Sequence, residues 1–165
     1  MSFLKKIFGF NQNSEVSSNE TASTISNAEI KNILLFVVDD NETFLKLIDN
    51  HLVNKEKEKI MRVKYQITKF LNGEECILAL EEHKPDIIIL DYFLNNEHGT
   101  FMNGDEVFKK IIEINPQQKV VMLSGQEESS IVLSLIKMGL RDYIMKDDEM
   151  FEQLHRVLLE VYNSK

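Results

Sequence analysis

Three stretches of the chain are apolar almost without interruption: Ile33–Val38 (ILLFVV), Ile87–Leu90 (IIIL) and Lys119–Leu123 (KVVML). Short runs rich in β-branched residues predict strands buried on both faces of a parallel sheet. A fourth stretch, Val63–Phe70 (VKYQITKF), alternates apolar and polar residues and predicts a half-exposed edge strand. A fifth, Arg141–Met145 (RDYIM), predicts the last strand. Between these runs the apolar period lengthens to three and four. Asn41 stands as a possible N-cap before Phe44, Leu47, Ile48 and Leu52, which predicts one helix. A short helix is expected over Gly73–Glu82. Another begins near Gly104, with Val107, Phe108, Ile111 and Ile112 inward, and Asn115-Pro116 stops it. A fourth helix runs from about Glu128 to Met138 and is closed by Gly139. The last, from about Asp148 to Asn163, places Phe151, Leu154, Leu158 and Val161 on one face.

Five strands alternating with five helices predict an α/β fold, a doubly wound parallel sheet covered on both faces. Right-handed crossovers leave few topologies. The alternating strand Val63–Phe70 belongs at an edge and the three apolar strands in the middle. That suits a flavodoxin-like (βα)5 arrangement with strand order 2-1-3-4-5, whose ligand site lies at the carboxyl ends of strands 1 and 3.

Composition adds boundaries. The chain has 165 residues, enough for one ordinary domain and a tail. The tail is residues 1–28 and the domain residues 29–165. Residues 1–10 (MSFLKKIFGF) place Phe3, Leu4, Ile7 and Phe8 on one helical face beside Lys5 and Lys6. Two readings stand for them: a short helix that docks on a membrane surface or a partner, and a frayed terminus. Residues 11–28 are dominated by Ser, Thr, Asn and Gln and read as a flexible linker. The net charge of -8 argues against binding nucleic acid through its phosphates. The single cysteine, Cys76, excludes an internal disulfide, and its apolar neighbours mark it as packing. No apolar run approaches the roughly 20 residues of a bilayer span. A cytoplasmic location is expected, with the first ten residues touching the membrane if they anchor. His51, His83, His98 and His155 show no paired metal-ligand spacing.

The strand ends change the picture. Strand 1 ends in Asp39-Asp40, strand 3 in Asp91, strand 4 in Ser124 and strand 5 in Lys146, so all five residues emerge on one rim. Three crowded carboxylates stay ionised only with a cation among them. Mg²⁺ suits such a donor set, with a phosphoryl oxygen completing its shell. A lysine and a hydroxyl facing that cation are what a phosphoryl group needs, and a carboxylate can itself be the nucleophile.

With these residues in place the chain resembles the response-regulator receiver domain, the CheY-like family of two-component signalling. The carriers are VVDDN at Val37–Asn41, IIILDY at Ile87–Tyr92, NGDEV at Asn103–Val107, VVMLSG at Val120–Gly125 and GLRDYIMK at Gly139–Lys146. The resemblance implies Asp91 as phosphoacceptor and Asp40 as direct Mg²⁺ ligand, with Asp39 helping through water and the Phe93 carbonyl as a further ligand. It implies Ser124 as the switch hydroxyl, Lys146 as the lysine that pairs with the phosphoryl group, and Tyr143 as the aromatic that swings inward. It further implies a histidine kinase or histidine phosphotransfer protein as donor. Three departures stand out. Asp147 replaces the proline that the family usually carries after the lysine in a cis bond. Leu94-Asn95 replaces a Met-Pro pair, and the stretch Asn95–Asn103 is longer than usual. Leu140 stands where a small residue is common. Phe93 and Gln126 flank the route of attacking water.

The expected function is a single-domain response regulator that is phosphorylated on Asp91, acts through protein contacts on an unnamed downstream target, and catalyses only its own Mg²⁺-dependent phosphorylation and dephosphorylation. One alternative is a receiver-like adaptor that works without phosphorylation. The other is a phosphohydrolase of the haloacid-dehalogenase kind, for which the spacing of Asp39-Asp40-Asn41 is wrong.

Overall fold

The structure, a computed structural model, describes residues 30–57, 63–94, 102–125 and 129–164. The expected tail and its linker, most of the stretch 95–103, and Gln126 lie outside the described residues. The chain alternates strand and helix: β1 Lys31–Val38, α1 Glu42–Lys57, β2 Val63–Phe70, α2 Gly73–Ala79, β3 Ile87–Asp91, α3 Gly104–Ile114, β4 Lys119–Ser124, α4 Ser129–Lys137, β5 Asp142–Met145 and α5 Met150–Asn163. All neighbouring strands are parallel, in the order β2-β1-β3-β4-β5, as the sequence predicts. The alternating strand does lie at the edge.

The two faces of the sheet carry separate cores, and strand alternation decides which residue joins which. Ile33, Leu35, Val37, Ile87, Ile89, Leu123 and Ile144 pack with Leu45, Ile48, Leu154, Val157 and Leu158 of α1 and α5. Phe36, Val38, Ile88, Leu90, Met122 and Tyr143 pack with Cys76, Val107, Phe108, Ile111, Val132 and Leu135 of α2, α3 and α4. Because consecutive residues of β3 are committed to opposite cores, Ile87 to Leu90 are all fully buried.

Several element boundaries and faces differ from the sequence expectation. Leu47 is half-exposed, and Leu45 takes its place with Ile48 and Leu52. Along the helix positions 45, 48 and 52 fall within about 60° of one another, and position 47 lies more than a third of a circle from their centre. α2 stops at Ala79, beyond which the Glu81 and Glu82 N–H groups bond three residues back, the tighter winding common at helix ends. In α5, Phe151 is only half-buried and Val157 is fully buried instead. The Ile112 expected inward is half-buried beside Ile111. β1 begins two residues earlier than its apolar run, because Lys31 and Asn32 pair with Val63 and Lys64. At the close of α4, Gly139 takes a φ of +107°, the left-handed conformation that a side chain disfavours.

Candidate functional site

Strand alternation also explains which rim residues meet. Asp39 continues the phase of Val37, Asp91 that of Ile89, and Lys146 that of Ile144, all on the face covered by α1 and α5. They converge there. Lys146 Nζ lies 2.7 Å from Asp39 Oδ2 and 2.7 Å from Asp91 Oδ2, bridging two strands. Asp40 completes a cluster in which one oxygen each of Asp39, Asp40 and Asp91 lie within 4.8 Å of one another. Together with Asn41, Phe44, Phe93 and Gly125 these residues line a cavity of about 400 Å³ at the carboxyl ends of the strands.

The backbone around the site is tied down on each side. The Asp39 N–H donates to the Phe70 carbonyl at 3.1 Å, which holds the end of β1 against β2. Asp39 Oδ1 accepts the Asn41 N–H at 2.9 Å, and Asn41 Oδ1 caps α1 by accepting the N–H groups of Thr43 and Phe44 at 3.0 and 3.1 Å. The capping role read from the sequence is thus present, directly after Asp40 and two residues after Asp39. After Asp91, the Tyr92 N–H donates to the Leu123 carbonyl at 2.9 Å and the Phe93 N–H to Asp91 Oδ1 at 3.3 Å. α3 then packs its first residue onto this segment. The Gly104 N–H donates to the Tyr92 carbonyl at 3.0 Å, and a Cβ at Gly104 would lie 2.1 Å from the Asp91 carbonyl oxygen. Only glycine permits that approach. Ahead of it, Asn103 and Glu106 form a capping box, and the Met102 N–H donates to Glu74 Oε1 at 2.8 Å.

The electrostatics follow from this enclosure. Burial pushes the Asp91 carboxyl up to about 6; Lys146 pulls it back down, and the charge of Asp39 adds to the rise. One ammonium faces three carboxylates, which leaves excess negative charge in a half-closed pocket of oxygen donors. A hard divalent cation is the complement of that donor set. Among the described residues this is the site with such a cluster.

Ser124 stands apart from this convergence. It ends β4 opposite Met145, its carbonyl accepts the Lys146 N–H at 2.7 Å, and it is fully buried. Its phase is that of Met122, toward the second core, and the cavity wall beside it is Gly125. Tyr143 is buried to 2% exposure in the same core, among the residues of α3 and α4. No peptide bond among the described residues is cis, so Lys146–Asp147 is trans, unlike the proline bond usual in the resemblance. The Asp147 side chain instead accepts the Glu149 N–H at 2.9 Å and turns the chain into α5. Sequence reasoning missed Phe44 and Gly104 as parts of the site. The first is indistinguishable from a core residue by spacing, and the second from an ordinary helix-start glycine.

The family model of the response regulator receiver domain matches residues 35–158. The chemotaxis protein CheY of Bacillus subtilis is 25% identical over 127 residues, 75% of this chain and 96% of that protein. CheY of Thermotoga maritima is 31% identical over 91 residues, 54% of this chain and 72% of that protein. Among solved structures, the receiver domain of NtrX from Brucella abortus superposes with a TM-score of 0.66 at 21% identity, covering 79% of this chain and 99% of that one. The CheX–CheY–BeF3–Mg²⁺ complex from Borrelia burgdorferi contains a chain that superposes with a TM-score of 0.65 at 18% identity, covering 80% of this chain and 90% of that one. At such identities the two superpositions speak for the fold alone.

Proposed function

The chain belongs to the response regulator receiver family, and on that premise we propose that it is a signalling switch whose phosphoacceptor is Asp91. The observation that carries this reading is Lys146 Nζ held 2.7 Å from both Asp39 and Asp91, with Asp40 beside them. An Asp91 oxygen attacks phosphorus, the bond from phosphorus to the donor breaks, and the donor's leaving group takes a proton. The donor is a phosphohistidine of a histidine kinase or phosphotransfer protein. Asp91 needs no general base, because it acts as the carboxylate. Lys146 offers a positive charge to the incoming oxygens, and Ser124, fully buried beside the cavity here, would turn its hydroxyl toward them as the switch donor. Mg²⁺ would be held by Asp40 and Asp91 directly, by Asp39 through water and by the Phe93 carbonyl. When bound it neutralises charge on the phosphoryl oxygens.

Output runs through protein contacts on the surface of α4, β5 and α5, biased by Tyr143, whose ring already packs inward here. The domain works in the cytoplasm; for the first ten residues, liposome binding lost on their deletion would support a membrane-surface contact, and equal partitioning would leave them a frayed terminus. Phe93, at the cavity mouth, slows attack of water on the phosphorylated form, so Phe93→Asn is expected to shorten its half-life several-fold. An unchanged decay rate would remove Phe93 from that role.

Intact-protein mass measured after incubation with acetyl phosphate and Mg²⁺ tests the central reading. A phosphate adduct that is absent from Asp91→Asn supports it. No adduct on the wild type favours a phosphorylation-independent adaptor, and multiple turnover of small phosphates favours a hydrolase.

A further inference from the structure

Spacing alone assigns Phe44 to the apolar stripe of α1, yet its ring lines the acidic cavity. The Lys146 ammonium sits over that ring, with Nζ 4.4 Å from its centroid. A cation within about 6 Å of an aromatic face is attracted by the ring's quadrupole. Lysine is a flexible, strongly hydrated point charge, and the Lys146 side chain keeps 22% exposure, so burial does not fix its position. Asp39 and Asp91 hold two sides of the ammonium, and the Phe44 ring closes a third. A ring face suits that place. It attracts the cation without offering an acceptor that would draw the N–H groups away from the carboxylates. Phe44 is itself held: its N–H bonds to Asn41 Oδ1, and its ring lies 6.4 Å from that of Phe151 on α5.

We propose that Phe44 is a positioning residue whose ring keeps Lys146 Nζ between Asp39 and Asp91, placed in advance for the charge that arrives on Asp91. This rests on the reading of Asp91 as phosphoacceptor and deepens it. Without the ring, Nζ gains access to water on its third side and recovers rotamer freedom, which must be lost again in the transition state. Leucine at position 44 would keep an apolar side chain and lose the ring, whereas tyrosine would keep both.

Two measurements on the full chain test this. The first is the rate at which the protein takes phosphate from acetyl phosphate, followed by intact mass. Phe44→Leu is expected to react about tenfold more slowly, and Phe44→Tyr within about twofold of wild type, in keeping with a desolvated cation–ring contact. Introducing Phe44→Leu into a Lys146→Met background should then bring no further loss. Equal rates for Phe44→Leu and wild type overturn the proposal, as does the same tenfold loss in the Lys146→Met background. The second measurement is the proton chemical shift of the Lys146 ε-methylene in the unphosphorylated protein. An upfield ring-current shift is expected in wild type and Phe44→Tyr and should vanish in Phe44→Leu. Its absence from the wild type overturns the proposal. If the wild type accepts no phosphate at all, the phosphoacceptor reading falls, and the ring-current shift separately decides whether Phe44 holds the lysine.

Discussion

Asp91 is a carboxylate in a place that disfavours its charge, and this has a thermodynamic signature. Its folded pKa of about 6 lies above the ordinary carboxylate value of 3.8. Well below pH 3.8 the group is protonated in both folded and unfolded chains and costs nothing. Between about 3.8 and 6 the unfolded chain ionises while the folded chain keeps its proton, so stability is lost across that interval and the loss levels off above pH 6. In urea unfolding with EDTA, Asp91→Asn should therefore exceed wild type at pH 7.5 by on the order of 2 kcal/mol, and the gain should shrink toward zero near pH 4. A gain equal at both pH values would show that ionisation is not its cause. Gly104 makes the opposite kind of prediction. Its missing Cβ leaves room for the Asp91 carbonyl, so Gly104→Ala should cost about 3 kcal/mol in the same assay and slow phosphorylation as well. The sequence showed Asp39, Asp91 and Lys146 because each follows an apolar run, where a charge has no packing role. Phe44 and Gly104 were silent because their roles depend on what lies across from them in space.

The elements that carry these residues are rigid for a reason visible in the chain. β3 is apolar from Ile87 to Leu90 because it feeds two cores, and those residues are fully buried. Ile88→Ala should therefore cost about 2–5 kcal/mol by chemical denaturation. Unbroken apolar runs made the central strands easy to recognise, and the alternation of Val63–Phe70 placed the edge. Helix phase was harder. Leu45 and Leu47 are both apolar and lie on different sides of α1, so which of them turns inward is decided by how the helix packs against the sheet, which the spacing alone does not show. Likewise the start of β1 was hidden, because Lys31 and Asn32 join the sheet through backbone pairing that leaves no apolar trace.

At the scale of the whole molecule, excess acid is gathered where the sheet ends. The chain carries a net charge of -8, and three of its carboxylates share one pocket with one ammonium. A divalent cation that binds the folded chain alone must then stabilise it by mass action. Adding Mg²⁺ to a hundredfold excess over its dissociation constant should raise the melting temperature by about 5–10 °C, as some 2.7 kcal/mol of linkage requires for a domain of this size. Asp40→Asn should abolish most of that rise; a full rise in this variant would exclude Asp40 as a ligand. The segment after β3 is pinned at both ends. Leu94 is buried on one side, while on the other Met102 is bonded to Glu74 and Gly104 to Tyr92. A peptide epitope or a small reporter domain spliced between these two anchors would leave the backbone on both sides clamped beside Asp91, so, on the proposal that Asp91 accepts phosphate, the chain offers a ready insertion point for a sensor of that event.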